Sequence, residues 1–395
     1  MPTQRQLFLQ HVAQTSEQPL GIEVAKANGI YIYDTAGKKY IDLIAGISVS
    51  NLGHCHPNVV SAIQEQAQTY MHTMVYGEYI QAPQVALANF LTQLLPNTLN
   101  NVYFTNSGTE ATEGAMKLAK RYTGKYEIMS CYNSYHGSTQ GALSLIGDEY
   151  FSAAFRPLLP NTKKIRYNNI DDLNLITEKT AAIFMEPVQA ESGITVPDKM
   201  YMQALRKKCD ETKTLLVIDE IQTGCGRTGT FFAFEQLDII PDILLLAKGL
   251  GGGMPIGCFI ANKNIMHSLT HEPVLGHITT FGGNAVCCAA ALACVQTIEQ
   301  EKLYRLANEK ANLFLELLQH HAINKITHSG LMMAVHLDNF DNLQKVIQHC
   351  LNNGLITDWF LFANNCMRIA PPLIITEAEI RVSCGIILDA LNNVY

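Results

Sequence analysis

The sequence has little charge, and the charge is not clustered. Of its 395 residues, 16% are Asp, Glu, Lys or Arg, and the formal net charge is −7. No run of lysine or arginine stands out, so neither nucleic acid nor an anionic membrane surface is indicated as a partner. The longest uninterrupted apolar stretch, AVCCAAALACV, is too short to span a bilayer.

The pattern of a secretory signal and a C-x-x-C motif are also absent. The amino terminus, MPTQRQLFLQHVAQT, lacks the basic and then apolar pattern of a secretory signal. Eleven cysteines are scattered along the chain without a C-x-x-C pair. This distribution is typical of reduced core residues in a large cytoplasmic protein, so we expect a cytoplasmic location.

Two common kinds of catalytic motif are absent. No G-x-S-x-G elbow occurs, so nothing supports an acyl hydrolase. In GHCHP, the adjacent residues His54, Cys55 and His56 cannot easily converge on one ion. HEPVLGH is not H-E-x-x-H, because Pro273 interrupts it and His277 comes too late. We therefore expect no metal site.

The fold class follows from short apolar runs between about residues 100 and 260. These runs are NVYFT, YEIMSC, AAIFMEP, LLVIDE and DILLLAK, and helical patterns separate them. Their hydrophobicity is continuous rather than alternating, which indicates strands buried on both faces. We predict an α/β fold with a mostly parallel sheet flanked by helices.

The texture changes after about residue 285. Two helical stretches, an alternating strand LMMAVHL, a strand CMRIA and a final helix with the capping box Thr376-x-x-Glu379 indicate a smaller α+β domain. A hairpin, GIYIYDTAGKKYIDL, lies within the first 45 residues. We predict an N-terminal segment, 1–48, packing with the small domain; a large domain, 49–284; and a small domain, 285–395.

Polar side chains follow the buried runs, where ligands bind in parallel α/β sheets. The turn after NVYFT opens a helix, and a helix N-terminus suits a phosphate. The residues at these strand ends are Ser107, Gly108 and Thr109; Tyr135 and His136; Glu186; Asp219; and Lys248.

This set suits pyridoxal phosphate chemistry. A lysine that forms a Schiff base must be neutral, and burial at an apolar strand end lowers its pKa from ~10.4. An aspartate beside the pyridine nitrogen keeps the ring protonated and able to accept electrons. Each residue alone also has a structural interpretation: Asp219 and Lys248 as an ion pair, Thr109 as a helix N-cap, and Tyr135 as packing.

The residues resemble a known family, the class III pyridoxal-phosphate-dependent aminotransferases of fold type I. The similarity is greatest to the acetylornithine and ornithine aminotransferase branch. It covers nearly the whole chain, through NLGHCHP, TNSGTEATEGAMKLAKRYTG, SYHG, MEPVQAESG, VIDEIQTGCGRTG, LLAKGLGGGMPIG, TTFGGN and RIAPPL in family order. The resemblance implies a large domain with a seven-stranded-type sheet, a smaller C-terminal domain and a homodimer.

The resemblance also implies roles for individual residues. Lys248 anchors the cofactor covalently and moves the proton, and Asp219 pairs with the pyridine nitrogen. Thr280 contacts the phosphate from the neighbouring subunit, and Thr279 lies near the substrate. The remaining expected cofactor contacts are Ser107, Gly108 and Thr109 at the phosphate, Tyr135 stacked on the ring, Gln222 at the ring hydroxyl, and His136 and Glu186.

A charge pair is implied on the substrate side. Arg368, in RIAPPL, matches the arginine that receives the α-carboxylate of glutamate or 2-oxoglutarate. Glu191, in QAESG, matches the glutamate that neutralises this arginine when an ω-amino substrate is bound. We expect this pair to act as a switch that lets one site accept both substrates; the alternative is a salt bridge at the rim.

The amino donor stays open. Ser138 stands where acetylornithine enzymes of the family usually carry an arginine for the substrate carboxylate, and Ala190 replaces a usual glycine. Ile47 lies where ornithine-specific relatives tend to have tyrosine. We expect transfer of an ω-amino group, with an acylornithine-like donor favoured, to 2-oxoglutarate. The alternatives are a 4-aminobutyrate or diamine transaminase and an aminomutase. A remote alternative is an NAD-dependent oxidoreductase, because Gly224-x-Gly226-x-x-Gly229 matches the dinucleotide-binding fingerprint.

Overall fold

A large seven-stranded sheet forms the centre of the molecule. The computed structural model describes residues 2–17 and 19–395. The order of the large sheet is β4-β10-β9-β8-β7-β5-β6, with β5 to β9 parallel to their neighbours among themselves and β10 antiparallel to both β4 and β9. The strands are β1 (Val24–Asn28), β2 (Tyr31–Asp34), β3 (Lys39–Asp42), β4 (Asn101–Thr105), β5 (Glu127–Cys131), β6 (Thr162–Ile165), β7 (Thr180–Met185), β8 (Leu215–Asp219), β9 (Ile243–Leu246), β10 (Gly257–Ala261), β11 (Lys325–Ser329), β12 (Met332–His336), β13 (Leu355–Ile356), β14 (Trp359–Phe360) and β15 (Ala363–Ile369).

The helices pack against the large sheet and against the two smaller sheets. Every residue of β5, β7, β8 and β9 is buried, as the continuous apolar runs predict. The helices are α1 (Gln4–His11), α2 (Ala45–Ser48), α3 (Pro57–Thr69), α4 (Ala82–Leu94), α5 (Gly108–Thr123), α6 (Gln140–Leu143), α7 (Glu149–Ser152), α8 (Lys199–Thr212), α9 (Lys263–Met266), α10 (Ala285–Gln300), α11 (Ala307–Leu317), α12 (Phe340–Asn352) and α13 (Glu377–Val394). The architecture confirms the predicted α/β class.

The ends of the chain meet in a second sheet. The predicted hairpin forms as β2 and β3, and β3 pairs in parallel with β13 from the C-terminal part. A third sheet has the order β11-β12-β15-β14. The last helix, α13, begins at the predicted capping box of Thr376 and Glu379. The proposed domain boundaries stay a prediction; α10, directly after the second of them, packs on α3 and α4.

Strand β12 differs from its prediction. LMMAVHL is interpreted as an alternating strand, a pattern typical of one buried and one exposed face, but Met332, Met333, Ala334 and Val335 are all buried. Met332 and Ala334 pack in a cluster with residues of the 188–194 loop, and Met333 and Val335 join the main core. Both faces of this small sheet are therefore covered, and its second face contacts the loop that carries Glu191.

One turn of the chain is left-handed. The φ angles of Ala45, Gly46, Ile47 and Ser48 are +49°, +63°, +62° and +61°. L-residues are destabilised in this conformation, by roughly 1–2 kcal/mol each. Asp42 supports the entry to the turn, because its Oδ1 accepts hydrogen bonds from the backbone of Ile44 and Ala45.

The cysteines are free thiols. Ten of the eleven are buried and one, Cys55, is exposed. The prediction of reduced cysteines in the core is thus confirmed except at Cys55. No helix in the described part of the chain combines the length and apolar character needed to cross a membrane.

A fully buried arginine joins three distant segments. The guanidinium of Arg227 donates to the carbonyls of Leu331 and Pro371 and to Oδ1 of Asn51. Burial lowers the pKa of Arg227 to about 9. Asn51 in turn donates to the carbonyl of Cys225, two residues before Arg227, at 3.0 Å.

We expect Arg227→Met to lower the free energy of unfolding by about 3 kcal/mol or more, because two carbonyls and an amide lose a charged donor. Urea unfolding followed by circular dichroism measures this. The exposed Arg305 supplies the control, since Arg305→Met is expected to stay within about 0.5 kcal/mol of the parent. Equal stabilities of the two variants would contradict the structural role of Arg227.

Candidate active site

A cavity of about 440 Å³ lies at the carboxyl edge of the large sheet. Its wall contains ten of the site residues expected from the sequence. These are Ser107, Gly108, Thr109, Tyr135, His136, Ser138, Glu186, Asp219, Gln222 and Lys248. The parallel strands bring them together, because β5, β7, β8 and β9 all end at this edge.

One end of the cavity is the start of α5. Ser107 is the N-cap, with its hydroxyl accepting from the Glu110 backbone, so Thr109 is not the cap. Gly108 and Thr109 are the first residues of the helix, where N–H groups have no intrahelical acceptor. A Cβ on Gly108 would lie 2.8 Å from Cδ1 of Ile221, so only glycine fits there without rearrangement. This end can hold an anion.

Lys248 lies two residues after the end of β9. The pKa of Lys248 is lowered to about 8, chiefly by burial. The carboxylate of Glu191 opposes this shift, and the guanidinium of Arg368 adds to it. Among the described residues no carboxylate forms an ion pair with Lys248. A substantial neutral fraction near pH 8 makes its amine a nucleophile.

Asp219 pairs with His136 and not with Lys248. Its Oδ2 lies 2.7 Å from Nδ1 of His136, so the interpretation of Asp219 and Lys248 as an ion pair is wrong. Burial lowers the pKa of His136, but the hydrogen bond and charge of Asp219 outweigh this and raise it above the ordinary value.

Glu186 lies beside this pair. Its carboxylate accepts from the backbone of Tyr135 and of Ala190, each at 3.1 Å. Burial raises the pKa of Glu186 to about 7, against the opposing charge of His136. Glu186 therefore fastens the wall that carries Tyr135 to the loop after β7.

Three buried polar atoms of the cavity wall have no hydrogen-bond partner among the described residues. They are Oε1 of Gln222, Oγ1 of Thr223 and Nε2 of His136. Buried polar atoms are rarely left unpaired, so a polar ligand is expected to complete them.

A charge pair lies next to the cavity, outside its wall. Arg368, on β15, donates to both carboxylate oxygens of Glu191 at 3.1 Å. Its Nε donates to Asp358 at 2.8 Å, and its guanidinium lies 4.2 Å from the centroid of the Phe360 ring. Both members are buried, so the interpretation as a rim salt bridge is wrong. Nε2 of Gln222 also donates to Glu191, at 2.9 Å, and so connects the pair to the cavity.

Electrostatics keep this pair ionised. Burial raises the pKa of Glu191, but the charge and hydrogen bonds of Arg368 outweigh it and bring the value to about 2. The carboxylates of Glu191 and Asp358 likewise outweigh burial and raise the pKa of Arg368. A carboxylate ligand could replace Glu191 on this guanidinium without leaving it unpaired.

Thr279 and Thr280 do not line the cavity of their own chain. Oγ1 of Thr279 accepts from Nδ2 of Asn106, a wall residue, at 3.3 Å. Thr280 is exposed. The surface around it carries large apolar side chains, with Val274 72% exposed and Phe281 56% exposed.

Several wall residues have no role in the sequence analysis. Ile221 and Thr223 flank Gln222 in the quoted motif VIDEIQTG, so their position could have been noticed. The turn after Lys248 also lies in a quoted motif. Val49 comes after the left-handed turn and carries no signal in the sequence. The full set is Val49, Asn106, Gly137, Ile221, Thr223, Ala247, Gly253, Met254, Pro255 and Ile256.

The glycine-rich motif at 224–229 and the histidines of GHCHP have structural explanations. The glycines of 224–229 lie in turns, and the next element along the chain is a short 3₁₀ segment, Ala233–Leu237, rather than a helix that could face a pyrophosphate. Nε2 of His54 lies 2.8 Å from Asp42, and the side chain of His56 caps α3. These histidines therefore have structural partners.

The residues present fit pyridoxal phosphate. The start of α5 offers unpaired donors for its phosphate, Asp219 offers a carboxylate for its ring nitrogen, and Lys248 offers an amine for its aldehyde. The unpaired side-chain oxygens of Gln222 and Thr223 can form further hydrogen bonds with it.

Comparisons with known proteins agree with this chemistry. The model of the family "Aminotransferase class-III" matches residues 12–391. The chain is 38% identical to an acetylornithine aminotransferase of Methanopyrus kandleri over 374 residues, covering 94% of both chains. It is 39% identical to that of Methanocaldococcus jannaschii over 388 residues, covering 95% of this chain and 94% of the relative.

Solved structures show the same fold. An ornithine aminotransferase of Toxoplasma gondii with partial occupancy of PLP at its active site superposes with a TM-score of 0.91 at 30% identity, covering 98% of this chain and 93% of that one. An (S)-enantioselective omega-transaminase of Thermomicrobium roseum gives 0.91 at 27% identity, covering 98% and 97%. With nearly its full length matched, the chain belongs to the class III aminotransferases, enzymes that work with pyridoxal phosphate.

Proposed function

We propose that this aminotransferase moves the ω-amino group of an acylornithine-like amino acid to 2-oxoglutarate, giving glutamate and a semialdehyde. The observation that carries the proposal is the buried pair of Arg368 and Glu191 beside the cavity. A guanidinium in this position suits the carboxylate of a dicarboxylic acceptor, and Glu191 replaces that carboxylate when the acceptor is absent. An aminomutase needs no such second substrate.

Lys248 is proposed as the covalent anchor and as the group that moves the proton. When bound, the cofactor accepts the amino group at its aldehyde and withdraws electrons from the carbon that loses a proton. Lys248 would take that proton on Nζ and return it to the carbon on the other side of the amine nitrogen, a 1,3-shift; such proton transfer typically contributes 10²–10⁴-fold. Its lowered pKa, about 8, suits both directions.

The other wall residues are proposed to hold the cofactor. Asp219 keeps the ring nitrogen protonated, and His136 fixes the Asp219 carboxylate through the 2.7 Å contact. Gly108 and Thr109 receive the phosphate. The remaining proposed contacts are Ser107, Tyr135, Glu186 and Gln222 from the same chain and Thr280 from a neighbouring copy.

A second candidate donor has support from Ser138. This residue lines the cavity with an uncharged hydroxyl, and the cationic side chain in the wall other than Lys248 is His136, which is bound to Asp219. A donor with a carboxylate far from its reacting amine would find no guanidinium at Ser138. A diamine, which carries no carboxylate, is therefore the second candidate.

We propose a homodimer that shares its active sites, in the cytoplasm. The exposed apolar side chains near Thr280, among them Leu275, Ile278 and Phe281, support a protein interface there. The exposed hydroxyl of Thr280 would then be available to the neighbouring cavity. The free thiols support a reducing compartment.

A panel of amines tests the donor. We expect acetylornithine or succinylornithine to convert the bound pyridoxal form to the pyridoxamine form, with 4-aminobutyrate, lysine and diamines slower, as followed by absorbance in single-turnover reactions. Added 2-oxoglutarate should reverse the change and release glutamate. Conversion by diamines alone would support the second candidate, and conversion without glutamate release would refute the transaminase.

The titration of Lys248 is the second test. In protein freed of cofactor, trace labelling with an amine-reactive reagent should reach half its maximal rate near pH 8, because the amine is protonated below its pKa and reactive above it. Peptide mass spectrometry quantifies the label, and Nα-acetyllysine, with a reference pKa of ~10.4, is the control. A Lys248 profile that coincides with the control would contradict a lowered pKa.

The charge pair predicts a difference between half-reactions. We expect Glu191→Ala to lower kcat/KM for the ω-amino donor by about tenfold or more, since Arg368 loses its buried partner, and to affect the glutamate half-reaction much less. The control is Glu316→Ala at an exposed position, expected to change neither. Equal losses in the two half-reactions would exclude the switch.

A further inference from the structure

A line of side-chain hydrogen bonds runs across the small sheet to the loop that carries Glu191. Sγ of Cys366 lies 3.0 Å from Nδ1 of His336. Nε2 of His336 lies 2.8 Å from Oγ1 of Thr327, and that hydroxyl donates to the Gly193 carbonyl at 2.7 Å. The three side chains come from β15, β12 and β11, which are neighbours in the sheet.

The protons of this line have one consistent direction. A carbonyl only accepts, so the single proton of the Thr327 hydroxyl is used at Gly193. Thr327 must then accept from His336, which places the ring proton on Nε2. Nδ1 is left as an acceptor, and Cys366 donates its thiol proton to it at 3.0 Å rather than to the more distant Oδ1 of Asn365, at 3.6 Å.

Electrostatics agree with this direction. Burial, with Lys325 nearby, lowers the pKa of His336 and outweighs a hydrogen bond to the Gly193 backbone, which raises it, so the neutral ring is favoured at pH 7. Burial raises the pKa of Cys366 to about 11, so the sulfur is a thiol. A charged imidazolium would have no lone pair for the thiol and would break the line at Nδ1.

The line ends at residues that are close in sequence to the two members of the charge pair. Gly193 lies two residues after Glu191, and Cys366 lies two residues before Arg368. Gly193 has a φ of +76°, and a Cβ there would lie 3.1 Å from Cβ of Ala363 and 3.3 Å from Sγ of Cys366. The loop therefore lies directly on β15, and the Thr327 bond is a side-chain bond from the sheet to its backbone.

We propose that Thr327 and His336 are positioning residues that set the preference of the site between its ω-amino and dicarboxylate substrates. The inference rests on the proposed function, in which Glu191 leaves Arg368 for one half-reaction and returns for the other. With Gly193 held on the sheet, and with the Glu191 carbonyl accepting from the Phe362 backbone at 3.0 Å, the backbone of Glu191 stays in register with Arg368. The carboxylate then returns by side-chain rotation alone.

Weakening the line should act on one half-reaction. In Thr327→Val the shape is kept and the bond to Gly193 is lost, so Glu191 is less well aligned on Arg368. We expect kcat/KM for the ω-amino donor to fall about fivefold, the factor for one neutral hydrogen bond. The glutamate half-reaction, in which Glu191 is displaced, should change by less than about twofold.

The experiment compares both half-reactions of the holoenzyme by stopped-flow absorbance. Thr327→Ser, which keeps the hydroxyl, should restore the parent ratio of the two rates. Ser329→Ala, two residues along β11, is the matched control and should leave the ratio unchanged. A purely structural role would lower both half-reactions by one factor, and that result would overturn the inference.

Glu191→Ala, measured in parallel, separates the two levels of the proposal. If it shifts the ratio and Thr327→Val does not, the positioning role fails and the switch stands. If Glu191→Ala leaves the ratio unchanged, the switch itself fails. Thermal unfolding of each variant shows whether a change in rate is a loss of folded protein.

Discussion

The structure depends on charges that the fold buries and balances at one edge of a sheet. Strands β7, β8 and β9 lead to Glu186, Asp219 and Lys248, and ionised groups are costly in such surroundings unless they are paired. Asp219 is balanced by His136 and Glu191 by Arg368. Lys248 has no carboxylate bonded to it among the described residues, so burial shifts its equilibrium towards the neutral amine. In the proposed function, the reactive group at this edge is the one lysine that the surrounding pairs leave without an ion-pair partner.

Much of the fold could be predicted, because the strands beneath the site are buried on both faces and have continuous apolar sequences. Strand β6, TKKI, could not be predicted in this way, since an edge strand tolerates two lysines. Strand β10 begins within a glycine-rich stretch that suggests a turn. The alternating pattern of β12 is typical of a strand with one exposed face, and a sequence does not show that a distant loop covers that face.

The site was predictable to the extent that its residues follow strands. Gly108, Asp219 and Lys248 each come directly after or near a strand end, and the sheet brings them to one cavity. Glu191 and Arg368 are 177 residues apart, and the family resemblance rather than any spacing joined them. The line through Cys366, His336 and Thr327 had no signal, since it depends on the register of three strands. The left-handed turn at 45–48 also had none, because Ala and Ile disfavour positive φ.

The burial of the thiols has a practical consequence. Ten of the cysteine thiols lie in the interior, where low polarity opposes thiolate formation, and Cys55 is the one exposed cysteine. Cys55 immediately precedes His56, the N-cap of α3. A thiol-reactive dye added to the native protein should therefore attach at this one point, which gives a spectroscopic reporter without removing any native cysteine.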